Sequence, residues 1–160
     1  MKKSFMLKLL KLSPAEIVLL LSAYRWLFWA RKELRGLRGK GWLIGEKERQ
    51  SAEDTWRSKP TDDEIKDIVK AIDRAARTPF RWSKCLQSSL ALRKWLSTKG
   101  VLAELHIGVK KEAQGIAAHA WLEYQNELLN DSVEATASFV ALTRGVRGKN
   151  LAEFEGLAWD

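Results

Sequence analysis

The sequence predicts an α+β fold, in which N-terminal helices and a cysteine-bearing helix pack on a small antiparallel sheet. Apolar residues recur at helical spacing in segments up to about residue 99. After Gly100 the period changes to two, which is typical of strands. Helices therefore come first and strands follow, without the alternation that a parallel sheet requires.

Length and composition indicate one globular domain. The 160 residues can bury a single core, and the apolar share of 46% and charged share of 30% are ordinary. Cys85 is the only cysteine, which excludes an intramolecular disulfide and gives no indication of an oxidising compartment. With only two histidines beside it, a zinc site cannot be closed without carboxylates. We expect a cytoplasmic protein that needs no metal and no cofactor.

The first helix is predicted to begin at the motif SPAE. Ser13 and Glu16 form a capping box, and Pro14 stands where a missing N–H costs nothing. The helix should run to about residue 35, with Gly36 as its stop. Residues 17–30 are apolar on nearly every face, so this helix is either central to the core or partly covered by a partner protein.

The apolar N-terminal stretch matches neither a signal peptide nor a membrane span. Lys8 and Lys11 interrupt the would-be signal region, and no small-residue cleavage site follows. Arg25 splits the apolar run, which falls short of the ~20 residues that a spanning helix needs.

All the basic excess of the chain lies in its first third. Residues 1–50 hold 12 Lys and Arg against 4 Asp and Glu, whereas residues 51–160 hold 16 of each. Such a segment can bind an acidic protein, anionic lipid or nucleic acid, or it can be a solvated helix face. Within the single domain of residues 1–160, we separate an N-terminal helix and connector (1–59), a candidate docking region, from a catalytic core (60–160).

Two more helices and three strands are predicted after a glycine-rich, charged loop over residues 35–56. The second helix starts with the capping box of Thr61 and Glu64 and ends before Pro79, and the third begins at or near Cys85 and ends by Gly100. Strands are predicted over residues 101–109, 116–124 and 128–131, joined by a polar turn and a tight turn. Beyond residue 132 the pattern is ambiguous and fits short helices around 133–142 and 150–157.

The position of Cys85 at a predicted helix start suits a nucleophile. The thiolate is the reactive form of cysteine, and the unpaired N–H groups and dipole of a helix N-terminus favour negative charge. The backbone N–H of Cys85 would then hold part of an oxyanion. Trp82 and Gln87 are further oxyanion or subsite candidates, although core packing explains Trp82 and a solvent-facing position explains Gln87. Alternatively, Cys85 is a buried structural residue.

A base and an orienting group for this cysteine are found on the predicted strands. The residue numbers of two paired residues in a hairpin add up to a constant. A turn centred on Gln125 therefore places His119 directly opposite Asp131, with Cβ atoms about 4.5–5.5 Å apart. A shift of one residue would put them on opposite faces. A carboxylate fixes the imidazole tautomer and stabilises its charged form. The residues therefore predict the triad Cys85, His119 and Asp131.

His106 and Trp121 lie close to His119 in the predicted strands. His106 has no carboxylate so placed, since Glu104 lies two residues along its own strand. Trp121, on the same face as His119, is a candidate to shield the His–Asp pair from water, or it is plain core.

The segment KCLQSSLALRKWL…AAHAWLEYQNELLND resembles the transglutaminase-like core of lasso-peptide B proteins, the leader peptidases of lasso-peptide biosynthesis. The shared elements are C-L-x-x-S-L-A-L, A-H-A-W-x-E and N-D, and LSPAE resembles the N-terminal helix of that family. The order of Cys, His and Asp is also that of papain-like and transglutaminase-like folds. The resemblance implies a cysteine protease with Cys85 as nucleophile, His119 as base and acid, and Asp131 as orienting carboxylate.

The resemblance also implies partners. The substrate would be a ribosomally made precursor peptide, and a separate ATP-dependent lasso cyclase would close the freed core. Many family members carry a leader-binding module with strands, whereas the residues before Cys85 predict two helices and a loop. We therefore expect the split form, with a separate small leader-recognition protein, and expect neither nucleic acid nor a membrane as a partner.

Two rival functions stay open from the residues alone. A transglutaminase-like acyltransferase would use the same Cys85 thioester and pass it to an amine instead of water. A non-enzymatic basic module would leave Cys85 structural and would lose binding steeply with salt.

Overall fold

A computed structural model describes residues 12–36, 59–77, 85–113, 115–143 and 158–159. Several predicted features lie outside these residues: most of the connector, the segment that contains Trp82, and the helix expected near the C-terminus.

Three long helices form one side of the molecule. They are α1 (Pro14–Gly36), α2 (Asp62–Ala76) and α3 (Cys85–Ser97). Both predicted capping boxes are confirmed. The Ser13 N–H donates to Glu16 Oε2 at 2.8 Å while the Glu16 N–H donates to Ser13 Oγ at 3.3 Å, and Thr61 and Glu64 form the same reciprocal pair. No described helix has the length and hydropathy to cross a membrane.

The helices bury one stripe each against a common core. Side chains three or four residues apart on a helix lie on one face, so the buried residues of each helix recur at that spacing. The buried side chains are Leu20, Ala23, Leu27 and Ala30 on α1, Ile65, Ile68, Ile72 and Ala75 on α2, and Leu86, Leu90, Leu92, Trp95 and Leu96 on α3. Leu105, Ile107, Ala120 and Leu122 of the sheet complete the cluster.

The sheet is small and mainly antiparallel. Its strands are β1 (Glu104–Glu112), β2 (Gly115–Tyr124), β3 (Glu127–Leu128), β4 (Val140–Thr143) and β5 (Ala158–Trp159). The order is β3-β2-β1-β4, and β5 pairs with β2 in parallel. One short helix, α4 (Val133–Thr136), lies between β3 and β4. The predicted α+β fold is confirmed.

Three predicted boundaries are wrong, each for a local reason. The first strand starts later than predicted, because the Val101 N–H closes the end of α3 by bonding Leu96 O at 3.0 Å. It also runs further, since Glu112 still pairs with Gly115 across a short turn. The short helix expected around residues 133–142 is present but covers only Val133–Thr136, and strand pairing with β1 already includes Val140.

The predicted register of the second hairpin is wrong by one residue. Glu123 pairs with Leu128 and Tyr124 with Glu127, so the turn is centred between Gln125 and Asn126. Both turn residues have positive φ, 54° and 65°, as a two-residue hairpin turn requires. The third strand ends at Leu128 instead of reaching residue 131. The residues after it therefore leave the pleat, and this departure determines where Asp131 goes.

Candidate active site

The structure brings Cys85, His119 and Asp131 together. Cys85 is half-buried and is the first residue of α3. Its side chain hydrogen-bonds His119 on β2, and His119 Nε2 hydrogen-bonds Asp131 Oδ2. Because Nε2 is engaged by the carboxylate, Nδ1 is the ring nitrogen left for the thiol. Sulfur, imidazole and carboxylate thus form one chain of hydrogen bonds.

The His–Asp contact forms although its two residues are not paired across the hairpin. After Leu128 the segment leaves the strand geometry, and Asp131 reaches His119 from the loop that precedes α4. Its second oxygen, Oδ1, accepts the Ser132 N–H at 2.8 Å. The His119 and Asp131 side chains are only 18% and 15% exposed, so their hydrogen bond is shielded from competing water.

Cys85 meets His119 on the stretch of β2 between its pairings with β5 and β3. Successive strand residues face opposite sides, and Ala120 lies in the helical core, so His119 faces away from that core. The Ser89 hydroxyl, one turn after Cys85, donates to the Ala120 carbonyl at 3.0 Å. This bond holds the start of α3 along the edge of β2, where Cys85 can contact a side chain on the other face.

Aromatic rings line the pocket of His119. The Trp121 ring is 6% exposed and stacks with its centroid 6.1 Å from that of His119, which agrees with the predicted shielding role as well as with core packing. Phe139 lies with its centroid 5.1 Å from the imidazole. Gly108, directly opposite His119 on β1, makes room for both rings. A Cβ at Gly108 would stand 2.8 Å from Phe139 Cβ and 2.9 Å from the Trp121 ring.

Gly108 and Phe139 were not identified from the sequence. A glycine inside a strand signals close approach of another group, so Gly108 carried a readable signal. Phe139 lies in the segment whose pattern was ambiguous, and nothing in its spacing pointed to His119.

His106 has a carboxylate neighbour after all, which corrects the sequence argument. Its Nε2 lies 3.3 Å from Glu123 Oε2, an ion-pair distance without hydrogen-bond geometry. Glu123 stands on β2 opposite Glu104, a diagonal neighbour that the same-strand comparison overlooked. Trp121 also stacks on His106, with centroids 5.8 Å apart. The histidine that hydrogen-bonds Cys85 is nevertheless His119.

Gln87 is not a solvent-facing residue, contrary to the alternative considered for it. It is 6% exposed, and its Nε2 donates to the Leu27 carbonyl of α1 at 2.9 Å. This bond ties α3 to α1 and occupies the Gln87 amide, so the structure does not support Gln87 as an oxyanion donor. Among the described residues, no group of three or more His, Cys, Asp and Glu is arranged to hold a metal ion.

The surroundings of His119 raise its pKa to about 9. The hydrogen bond with Cys85 is the largest cause, and the bond and charge of Asp131 act in the same direction. Burial opposes them, because it disfavours the charged ring. At neutral pH the imidazole is therefore protonated and donates from both nitrogens, one to sulfur and one to carboxylate.

This geometry belongs to a known class of fold. A cysteine at a helix start, a histidine on a strand and a carboxylate beyond the next strand define a papain-like or transglutaminase-like core. Residues 22–144, well over half of the chain, match the family described as the transglutaminase-like superfamily, and the protein belongs to it. Members are generally cysteine-dependent enzymes and include cysteine proteases and acyltransferases. Comparisons with curated proteins and with solved structures return no match.

A pH titration of His119 tests the hydrogen-bond chain. In the wild-type protein, the NMR signal of the His119 ring should titrate at a pH of about 9. In Cys85→Ala the largest cause of the raised pKa is absent, so the midpoint should fall toward the ordinary value near 6.5. A midpoint unchanged by the substitution would show that Cys85 and His119 do not interact.

The same pKa shift fixes the sign of a stability effect. A group whose pKa is raised by folding stabilises the folded state while it is protonated in both states. The contribution of His119 is thus complete below pH ~6.5 and is lost as the pH rises through about 9.

Proposed function

We propose that the protein is the leader peptidase of a lasso-peptide pathway, a cysteine protease that separates the leader of a ribosomally made precursor from its core. The hydrogen-bonded chain Cys85–His119–Asp131 is the observation that carries the proposal. It lies within the segment that resembles the lasso-peptide B proteins. The enzyme would act in the cytoplasm, where its substrate is synthesised, and a separate cyclase would use the freed core.

The catalytic cycle follows from the protonation of the site. The Cys85 thiolate attacks the scissile carbonyl and forms a carbon–sulfur bond, and the imidazolium of His119 gives its Nδ1 proton to the departing amine of the core peptide. Water then attacks the thioester. His119, now neutral, takes a proton from that water, the leader leaves with a free carboxylate, and the thiolate is restored. Asp131 holds Nε2 throughout and stabilises each imidazolium state.

The oxyanion of each tetrahedral intermediate needs donors beside Cys85. The backbone N–H of Cys85 is one candidate, since the first N–H groups of a helix have no partner inside it. One such donor contributes about 2.7–4 kcal/mol in comparable sites. Trp82 lies close in sequence, whereas the bond of Gln87 to α1 directs its amide elsewhere.

Cleavage of the precursor tests the roles of the three residues. With the precursor, its leader-recognition protein and wild-type enzyme, mass spectrometry should detect free leader and free core. Cys85→Ala should reduce the rate by on the order of 10⁴-fold or more. Asp131→Ala should reduce it by about 10²–10⁴-fold, because the imidazole loses its orienting partner.

Two results would decide against the proposal in different ways. Cleavage by Cys85→Ala at the wild-type rate would eliminate the cysteine mechanism. Leader joined to an added amine, in place of a free leader carboxylate, would identify the enzyme as an acyltransferase that uses the same thioester. Ser138→Ala, on an exposed side chain outside the hydrogen-bond chain, is the control that should cleave normally.

The leader-recognition protein is proposed to bind the exposed face of α1. Beside its buried stripe, α1 presents Ile17, Leu21, Tyr24 and Phe28 to solvent, of which Leu21 and Phe28 are 64% and 62% exposed. Their spacing of four, three and four residues places them in one row. The row is about 17 Å long, enough for three turns of a partner helix.

The charges on this face indicate an acidic partner. The row continues with Lys32 and Arg35, and Arg25 flanks it; all three are exposed. Over residues 14–35 of α1, no carboxylate shares this face. A partner whose apolar residues are followed by acidic ones would match this order.

Other occupants fit this face less well. A second copy packed parallel would oppose Lys32 and Arg35 to their own counterparts, which carry like charges. A membrane-bound helix keeps its cations at the flanks of the apolar sector. Here Lys32 and Arg35 lie in the middle of that sector, where lipid contact would be costly.

Binding of the purified leader-recognition protein tests this surface. Leu21→Glu and Phe28→Glu should each raise its Kd at least about tenfold, because a carboxylate would replace an apolar contact beside the partner's acidic groups. Deletion of α1 is unsuitable, since its other face lies in the core. The matched control is Ile116→Glu, at a 55% exposed apolar position on β2.

The outcome of this titration decides whether this face of α1 binds the leader-recognition protein. Unchanged affinity in both α1 variants would refute the docking surface. Binding of anionic vesicles that both substitutions abolish, with protein binding intact, would assign the face to a membrane instead.

A further inference from the structure

The loop that carries Asp131 has no strand or helix to hold it in place. Pairing with β2 stops where the Leu129 N–H donates to the Leu122 carbonyl at 2.9 Å, and α4 begins only at Val133. A hydrogen bond to His119 nevertheless requires Asp131 to be placed within a fraction of an ångström.

One side chain next to Asp131 joins this loop to both neighbouring elements. Asn130 Oδ1 accepts the Leu122 N–H at 2.8 Å, and Asn130 Nδ2 donates to Ser89 Oγ at 2.9 Å. The Ser89 hydroxyl in turn donates to the Ala120 carbonyl at 3.0 Å. We call these three hydrogen bonds the Asn130 clamp.

Each residue of the triad has a residue of the clamp close to it in sequence. Asn130 directly precedes Asp131, Ala120 directly follows His119, and Ser89 lies one helical turn after Cys85. The clamp therefore connects the loop, the strand and the helix that supply the three reacting groups.

Donors and acceptors in the clamp fit in one arrangement only. Ser89 is completely buried, and its hydroxyl gives its proton to Ala120, so it must accept from Asn130. The Leu122 N–H can only donate, so it requires the carbonyl oxygen of the amide. A flipped amide would place donor against donor at Leu122, and an aspartate at position 130 would offer Ser89 no proton. An asparagine meets both demands.

We propose that Asn130 and Ser89 are positioning residues that hold Asp131 against His119 and align both with Cys85. They touch no substrate and act through Asp131. The proposal rests on the proposed function for the roles of the triad, but the placement of Asp131 can be measured without any substrate.

The test is a double-mutant cycle read by NMR titration of His119 in the full chain. Asp131→Asn removes the carboxylate charge and should lower the His119 pKa by about one unit or more. Asn130→Ala should lower it in the same direction, and the double variant should titrate no lower than Asp131→Asn alone, because both changes remove the same interaction. Ser138→Ala, which removes an exposed side chain outside the clamp, should leave the titration unchanged.

Ser89→Ala is the second variant, since it leaves the bond between Asn130 and Leu122 in place. It too should lower the His119 pKa, by less than Asn130→Ala. The proposal is overturned if both variants fold and titrate like the wild type, if their effects add fully to that of Asp131→Asn, or if neither folds. The last result would assign Ser89 and Asn130 to the stability of the whole fold.

These readouts separate the clamp from the proposed function. A precursor that Cys85→Ala still cleaves would refute the peptidase mechanism and leave the His119 titrations as they are. Conversely, unchanged titrations in Asn130→Ala would refute the clamp while the wild-type enzyme still cleaved its precursor.

Discussion

The meeting of α3 with β2, on the stretch of that strand between its pairings with β5 and β3, is the constraint on which the site depends. Cys85 lies on a helix that packs on one face of the sheet, whereas His119 projects from the other face, so the two can meet only beyond a strand edge. That edge is open only between Ala118, where pairing with β5 ends, and Glu123, where pairing with β3 begins. Gln87 fixes the helix to α1 on one side and Ser89 fixes it to β2 on the other. A longer third strand would cover the position that Cys85 needs.

The second requirement is that water is excluded from the hydrogen bonds of His119. Trp121 and Phe139 cover His119, and Gly108 supplies the space for them by having no side chain. Burial alone would make the imidazole neutral, but the bonds to Cys85 and Asp131 outweigh it and keep the ring charged. Packing and electrostatics therefore act together, because exclusion of water strengthens the two bonds that charge the ring.

The sequence predicted the helices and the contacting residues better than the exact path of the chain. Capping boxes and apolar spacing are local signals, so α1 and α2 were placed to within about two residues. The hairpin argument paired His119 with Asp131 correctly, but through a register that the structure does not have. In the structure, the Asn130 side chain ends the strand pairing early by accepting the Leu122 N–H, and it also donates to Ser89. The bond to Ser89 is a tertiary hydrogen bond that no local sequence pattern encodes. The same holds for Gln87, whose partner lies 60 residues away.

Detection of the covalent intermediate tests the central claim, that the Cys85 thiolate attacks the scissile carbonyl while His119 protonates the departing amine. Wild-type enzyme, leader-recognition protein and precursor would be mixed and quenched in acid after short intervals, and intact mass and peptide mapping would locate any adduct. We expect the leader to be joined through its new carboxyl end to the peptide that contains Cys85, and to be released by hydroxylamine. Leader attached to a different residue, or turnover with no attachment to Cys85 at any interval, would contradict the account.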